Sequence, residues 1–289
     1  MLRSICDVAA PAKLNLFLHI VGRRADGYHL LQSVFVLIDW CDTLHFELRD
    51  DGRVARHDLA EPLPADDLCL RAARALQQAS GTAAGADISI DKRVPSGAGM
   101  GGGSSDAAST LLALNRLWRL HWPLARLSSL GLTLGADVPF FLGGHNAFVE
   151  GIGELLTHVD IAPQWFAVVK PAAAIETRSL FAHPLLVCDS AAVILEGFRA
   201  DEQYSDEGQF SFGRNDLQAA AQDVCAEVAE AARWLERLYG NSRMTGSGSA
   251  VFAKAGSGDA PSAAMPGDLP SGWSARMCRS LLRHPLAGW

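Results

Sequence analysis

Residues 95–106 read PSGAGMGGGSSD, with five glycines in the seven positions 97–103. Glycine adopts backbone angles closed to other residues, so such a run turns tightly and can present several N–H groups to one side. The apolar residues Ala107, Leu111, Leu114 and Trp118 that follow are spaced as one face of a helix. The cluster Ser104, Ser105, Asp106 predicts where that helix starts. A cup of free N–H groups at a helix start is an anion site, and phosphate fits it. The run is not a Walker A loop, because no lysine follows its last glycine. Gly97, Gly99 and Gly102 match the bare dinucleotide pattern, but far into the chain and with no acidic residue closing a second parallel strand. A ligand-free glycine loop is the plainer alternative, and it is disfavoured because each glycine weakens regular structure by up to ~1 kcal/mol.

Outward from this loop the pattern alternates. On its amino-terminal side, strands are predicted over 13–20, 34–39, 43–48 and 87–92, a loop or edge hairpin over 50–64, and a helix over 66–80 stopped by Gly81. On its carboxy-terminal side come a short helix after Pro123, an irregular stretch over 134–142 and a strand over 147–150. The pattern resets over 157–164. Then follow a strand over 165–170, a helix start over 177–181 and one long amphipathic helix over 216–239. A turn over 241–248, a strand over 250–254, a flexible loop over 256–272 and a last strand over 273–279 complete the order. This is an α+β architecture with two sub-domains, 1–158 and 159–289, and a chain of 289 residues suits two domains.

Composition narrows the function classes. Hydrophobic residues make up 49% and charged residues 20%, with a net charge of −7, which argues against a nucleic-acid-binding surface. No apolar run is long enough to span a membrane. The apolar stretch 14–21 is short and carries Asn15 and His19, unlike a secretory signal. The six cysteines are scattered, with no C-x-x-C and no zinc-ligand spacing, and are expected to be buried free thiols in a reducing, cytoplasmic compartment. Of 25 basic residues only four are lysines: Lys13, Lys92, Lys170 and Lys254. Taken alone, Lys13 reads as a strand-edge lysine, Asp137 in the turn 134–140 as an Asx cap, and the second glycine turn, 244–249, as a plain helix-to-strand connection.

Together these segments carry a resemblance. PAKLN at 11–15, the loop 95–105 and MTGSG at 244–248 resemble the three motifs of the GHMP kinase superfamily. GRRADGYH at 22–29 and LGADVPF at 134–140 look like its branch that phosphorylates an alcohol bearing a cytidine diphosphate group, in non-mevalonate isoprenoid precursor synthesis. The resemblance implies a ribosomal protein S5 domain 2-like amino-terminal lobe and a ferredoxin-like carboxy-terminal lobe, with substrates in the cleft between them. It implies ATP as co-substrate, with Mg²⁺, and an ATP site made by Pro95, Ser96, Gly97, Ala98, Gly99, Met100, Gly101, Gly102, Gly103, Ser104 and Ser105. Lys13 and Asp137 match the catalytic pair; Asn15, Tyr28, His29, Thr177 and Phe181 match substrate contacts. No metal ligand is assigned. The implied partner is a small molecule with a cytidine diphosphate moiety, with no nucleic acid, no membrane, and a monomer or homodimer as the assembly. Alternatives are a kinase of homoserine, mevalonate or a sugar, disfavoured by Tyr28, His29 and the 134–140 turn, and a non-catalytic nucleotide-sensing relative, disfavoured by the intact Lys13 and Asp137.

Overall fold

The computed structural model describes residues 2–198 and 212–289. The segment 188–213, where the sequence carries little of the resemblance, lies partly outside these residues. Two long strands, β1 (Ser4–Arg23) and β2 (His29–Arg49), form an antiparallel hairpin that organises the rest. The two strands predicted over 34–39 and 43–48 are thus one. Trp40, Cys41 and Asp42 do not break it, because Pro11 pairs with Cys41 and Ala10 with Asp42. A register shift between Pro11 and Ala12 absorbs the missing N–H of the proline.

β2 is long enough to serve three neighbours: β1, β4 (Gly85–Asp91) and β5 (Ala147–Glu150). β6 (Leu155–His158) extends one edge of this six-stranded sheet and β3 (Val54–Asp58) the other. β3 pairs parallel with β4, so the stretch expected as a loop or hairpin is an edge strand followed by a crossover helix. That helix is α1 (Leu68–Ser80), capped by Asp67, whose carboxylate accepts from Cys69 and Leu70 N–H, and ended by Gly81 at φ 68°.

α2 (Gly102–Leu117) starts two residues earlier than the Ser104–Ser105–Asp106 cluster predicts. Gly101, at φ 70°, turns the chain into it, so Ser105 and Asp106 are buried inside the helix and do not cap it. α3 (Leu124–Leu132) follows Pro123 as expected. The stretch expected to be irregular holds α4 (Val138–Gly143), since Pro139 lies in its first turn, where no N–H is needed.

β7 (Trp165–Lys170), β8 (Arg243–Met244), β9 (Val251–Lys254) and β10 (Ser274–Arg279) form a second sheet in the order β10-β7-β9-β8. α5 (Thr177–Phe181) follows β7. The single helix predicted over 216–239 is two, α6 (Gln218–Val224) and α7 (Ala226–Tyr239), because Cys225 takes an extended conformation at φ −143°. All six cysteines are free, but only Cys69 and Cys278 are buried. Cys6 and Cys188 are exposed, contrary to the expectation of burial.

Strand alternation divides the core into layers. α1 to α4 pack on one face of the first sheet, through Leu37, Phe46, Leu76, Leu111 and Phe140. The other face, with Leu14, Val34 and Val36, meets Phe166, Val168 and Phe252 of the second sheet. Ala167, Val169, Val251 and Ala253 point away from it, onto Ala220, Val228 and Leu235 of α6 and α7. β1 contributes to all three layers, as Val8, Leu14 and Ile20 show. The segment after β10 returns to the first sheet, where the Leu281 N–H donates to Leu37 O at 2.8 Å and Leu286 is buried.

His284 in this returning segment makes a testable point. Its Nδ1 accepts from the Leu286 N–H at 3.0 Å, so the proton of the neutral ring is on Nε2. That atom is buried with no hydrogen-bond partner among the described residues. Burial pushes the ring pKa from 6.5 down to about 4. The unfolded chain therefore takes up a proton before the folded one does. Stability is complete above pH 6.5 and declines as the pH falls towards 4, by about 3 kcal/mol. Chemical denaturation of the wild type should show this acid-side loss, and His284→Gln should lack it; parallel pH curves would refute the assignment.

Candidate active site

The site forms where β1 meets both glycine turns. The Lys13 N–H donates to Met100 O at 3.0 Å, which fastens the strand to the first glycine loop. The Asn15 N–H donates to Thr245 Oγ1 at 3.0 Å, which fastens it to the second. The loops also hold each other: Ser249 N–H donates to Gly97 O and Ala250 N–H to Ala98 O, each at 3.2 Å. Gly99, at φ 72°, lies so close to the second turn that a Cβ there would sit 2.3 Å from Thr245 O. Asn215 Nδ2 ties the second turn further, donating to Met244 O and Gly246 O at 2.8 Å.

Lys13 is almost fully buried and its Nζ stands 3.7 Å from Asp137 Oδ2. It donates to Asn15 Oδ1 at 2.6 Å and lies 4.4 Å from the centre of the Phe35 ring. Burial draws the Lys13 pKa below the ordinary lysine value, and Asp137 opposes the fall. Asn15 is fixed in turn, its Nδ2 donating to Ser33 Oγ at 2.9 Å and its Oδ1 accepting from Thr245 Oγ1 at 3.1 Å. Asp137 occupies the cap position of α4 but makes no side-chain cap bond, which removes the Asx-cap alternative. Its carboxylate faces Lys13 and a cleft of about 270 Å³ that Asn15, Phe35, Thr177 and Phe181 also line.

Two larger clefts adjoin this centre. One, of about 530 Å³, is lined by the glycine loop from Pro95 to Ser104 together with Leu68, Lys92 and Thr177. The other, of about 700 Å³, is lined by Arg23, Asp26, Tyr28, His29, Arg178 and Phe181. Thr177 borders the first and the centre, with its Oγ1 2.7 Å from Ser247 Oγ. Phe181 borders the centre and the second. The His29 and Phe181 rings stack on each other, centres 5.0 Å apart. Burial, and then Arg23, lower the His29 pKa, so at neutral pH its ring can donate from one nitrogen and accept at the other. Tyr28 lines the same cleft but is 62% exposed and stacks on neither ring among the described residues.

All the residues expected from the sequence thus border three joined clefts, except Ser105, which is buried in α2. Thr245 and Ser247 stand in the second glycine turn and could have been singled out there. Phe35, Ser33 and Asn215 carry no local signal, because strand register and distant packing bring them in.

A glycine cup at a helix start, a buried lysine beside a partly exposed carboxylate and a cleft between them fit a small-molecule kinase of the GHMP type. The GHMP kinases N terminal domain family matches residues 67–145. A 4-diphosphocytidyl-2-C-methyl-D-erythritol kinase of Methylibium petroleiphilum is 62% identical over 290 aligned positions, covering 100% of this chain and 99% of that one. Among solved structures, a 4-(cytidine 5'-diphospho)-2C-methyl-D-erythritol kinase superposes with a TM-score of 0.72 at 33% identity, covering 86% of this chain and 89% of that one. A homoserine kinase from Cytophaga hutchinsonii shares the fold, with a TM-score of 0.66 at 16% identity over 98% of this chain and 96% of that one. The chain belongs to the 4-diphosphocytidyl-2-C-methyl-D-erythritol kinase family.

Proposed function

We propose that this enzyme transfers the γ-phosphoryl group of ATP to the 2-hydroxyl of 4-diphosphocytidyl-2-C-methyl-D-erythritol, giving the 2-phosphate and ADP, in isopentenyl diphosphate synthesis by the non-mevalonate route. The observation that carries the reading is the Lys13–Asp137 pair, 3.7 Å apart, between the glycine cup and the aromatic cleft. Phosphoryl transfer runs through a loose transition state, so positioning and charge stabilisation supply most of the rate. The loop 95–105 holds the ATP phosphates at the start of α2 through its free N–H groups, Pro95 having none and the Ser105 N–H being donated to Gly101 O. Asp137 accepts the proton of the attacking hydroxyl and aligns its oxygen. Lys13 offsets the charge that develops beside it, and Asn15 fixes the ammonium through the bond at 2.6 Å.

The aromatic cleft takes the cytidine end. Tyr28 and Phe181 offer ring faces to the base, His29 offers a donor and an acceptor to its edge, and Thr177 contacts the substrate where the clefts meet. Residues 1–158 act as the ATP-binding lobe and 159–289 as its counterpart. Among the described residues no three His, Cys, Asp or Glu form a metal cage. Magnesium is expected with the nucleotide's phosphates, no protein ligand is assigned to it, and no step here depends on it. Among the described residues no helix is long and apolar enough to cross a membrane. The free thiols support a cytoplasmic setting, and a monomer or homodimer is the proposed assembly.

ADP release with the cytidylated substrate, compared with mevalonate and homoserine, tests the reading. Turnover with either of the latter and none with the former would overturn it. For the base pocket, Tyr28→Ala should raise KM for the cytidylated substrate by about tenfold, in line with a stacking contact of about 1–3 kcal/mol, and leave KM for ATP unchanged. Equal effects on both would place Tyr28 outside the pocket.

A further inference from the structure

Behind the glycine cup lies a charged cluster that the mechanism does not use. Lys92 is the one charged side chain among the described residues lining the 530 Å³ cleft. A Cβ on Gly102 would be 3.4 Å from its Nζ, so the ammonium lies beside the first turn of α2. Lys92 Nζ donates to Asp106 Oδ2 at 2.7 Å and also to Asp42 Oδ2. Both carboxyl groups are buried, Asp42 at 0% and Asp106 at 2% exposure. One ammonium therefore faces two carboxyl groups out of water, and full ionisation would leave an uncompensated negative charge there.

Their partners differ. Asp42 Oδ1 accepts from the Arg93 and Val94 N–H groups at 2.6 and 2.8 Å, and Oδ2 accepts from Lys92. Every lone-pair direction in use suits an ionised acceptor. Asp106 has the Lys92 contact, while its Oδ1 is buried with no hydrogen-bond partner among the described residues. An ionised oxygen in that position carries the full desolvation penalty. The proton belongs on Asp106.

We infer that Asp106 is a positioning residue for the nucleotide: it keeps a proton beside Asp42, so that the wall of the phosphate cup carries no net charge, and the bound polyphosphate in turn holds that proton in place. The inference rests on the glycine cup being the nucleotide site. Burial is the main cause that pushes the Asp106 carboxyl up, to about 8, with Asp42 adding to it and Lys92 pulling against it. Burial works against the Lys92 charge, and Asp106 and Asp42 override it, holding the ammonium above the usual lysine value. From α1, Cys69 also faces the cluster. Burial pushes its thiol up, Asp67 and Asp106 add to this, and Thr110 and Arg56 oppose it. The Arg93 guanidinium is turned to Asp91 at 2.8 Å.

Polyphosphate near Asp106 stabilises its neutral form, so nucleotide affinity falls as the pH rises through 8. ADP titration calorimetry between pH 7.5 and 9.5, where phosphate is fully ionised, reads this on wild type and Asp106→Asn. Wild-type affinity should fall by about fivefold more than that of the variant, the size expected for one added charge nearby. The variant should match the wild type within about twofold at pH 7.5, being neutral there in both cases. Wild type should take up about a third of a proton with ADP at pH 8, seen in two buffers of different ionisation heat, and the variant should take up none. Parallel pH curves, or equal proton uptake, overturn the proposal. If the variant does not fold, the infrared carbonyl band of a buried carboxylic acid, lost in the wild type as the pH passes 8, decides it alone. A missing band overturns the proton on Asp106 whatever ADP does, whereas a wild type that binds no ADP overturns the nucleotide reading and the linkage with it.

Discussion

Asp137→Asn should lower kcat by about 10² or more while KM for both substrates stays nearly constant. The carboxamide keeps the shape of the side chain but cannot take a proton, and it presents no charge to the Lys13 ammonium 3.7 Å away. A small fall in Tm is expected, because the buried Lys13 ammonium loses its charge partner, while the carboxylate makes no cap bond to α4 and is partly exposed. Single-turnover and steady-state assays with thermal unfolding as a control check this. An unchanged kcat removes Asp137 from the chemistry. A kcat loss accompanied by a large fall in Tm assigns it to structure instead.

Gly99→Ala should damage the fold and the nucleotide site together. A Cβ there would sit 2.3 Å from Thr245 O and 2.9 Å from Gly248 N, both backbone atoms that no rotamer change can move aside. The residue also holds φ at 72°, where side chains are strained. The expected loss is about 3 kcal/mol, a fall in Tm of roughly 5–10 °C, with KM for ATP raised about tenfold or more as the two glycine turns part. Gly143→Ala is the comparison, since nothing lies within 4 Å of its added Cβ. Equal effects at the two positions would show that the contact between the turns is dispensable.

How far the sequence could be read depended on where each signal lies. The glycine run, the apolar stripe of α2 and the Asp67 and Gly81 caps of α1 are local, and local chemistry decides them. Asp137 and Lys13 were visible as motif residues, yet nothing near either one reveals that they meet. Their pairing depends on β1 passing beneath the glycine loop. The boundaries that moved did so for reasons outside the local pattern. Trp40 to Asp42 stay in β2 because β1 runs alongside, and the helix over 216–239 breaks where Cys225 turns extended. In the sequence Lys92 is no more than one of four lysines, and only packing shows that it holds two buried carboxyl groups.

The course of β1 through every layer has a consequence for how the enzyme comes into being. Lys13 needs Met100 and Asn15 needs Thr245, partners 87 and 230 residues further along the chain. A nascent chain, growing at about 5–20 residues per second, can fold its first sheet against α1 to α4 well before Thr245 has left the ribosome. Until then Asn15 is held through Ser33 alone and lacks both of its contacts to Thr245. Catalytic competence should therefore wait until the second glycine turn closes on a strand made 230 residues earlier. Fragments ending before the second glycine turn should contain ordered structure and no turnover.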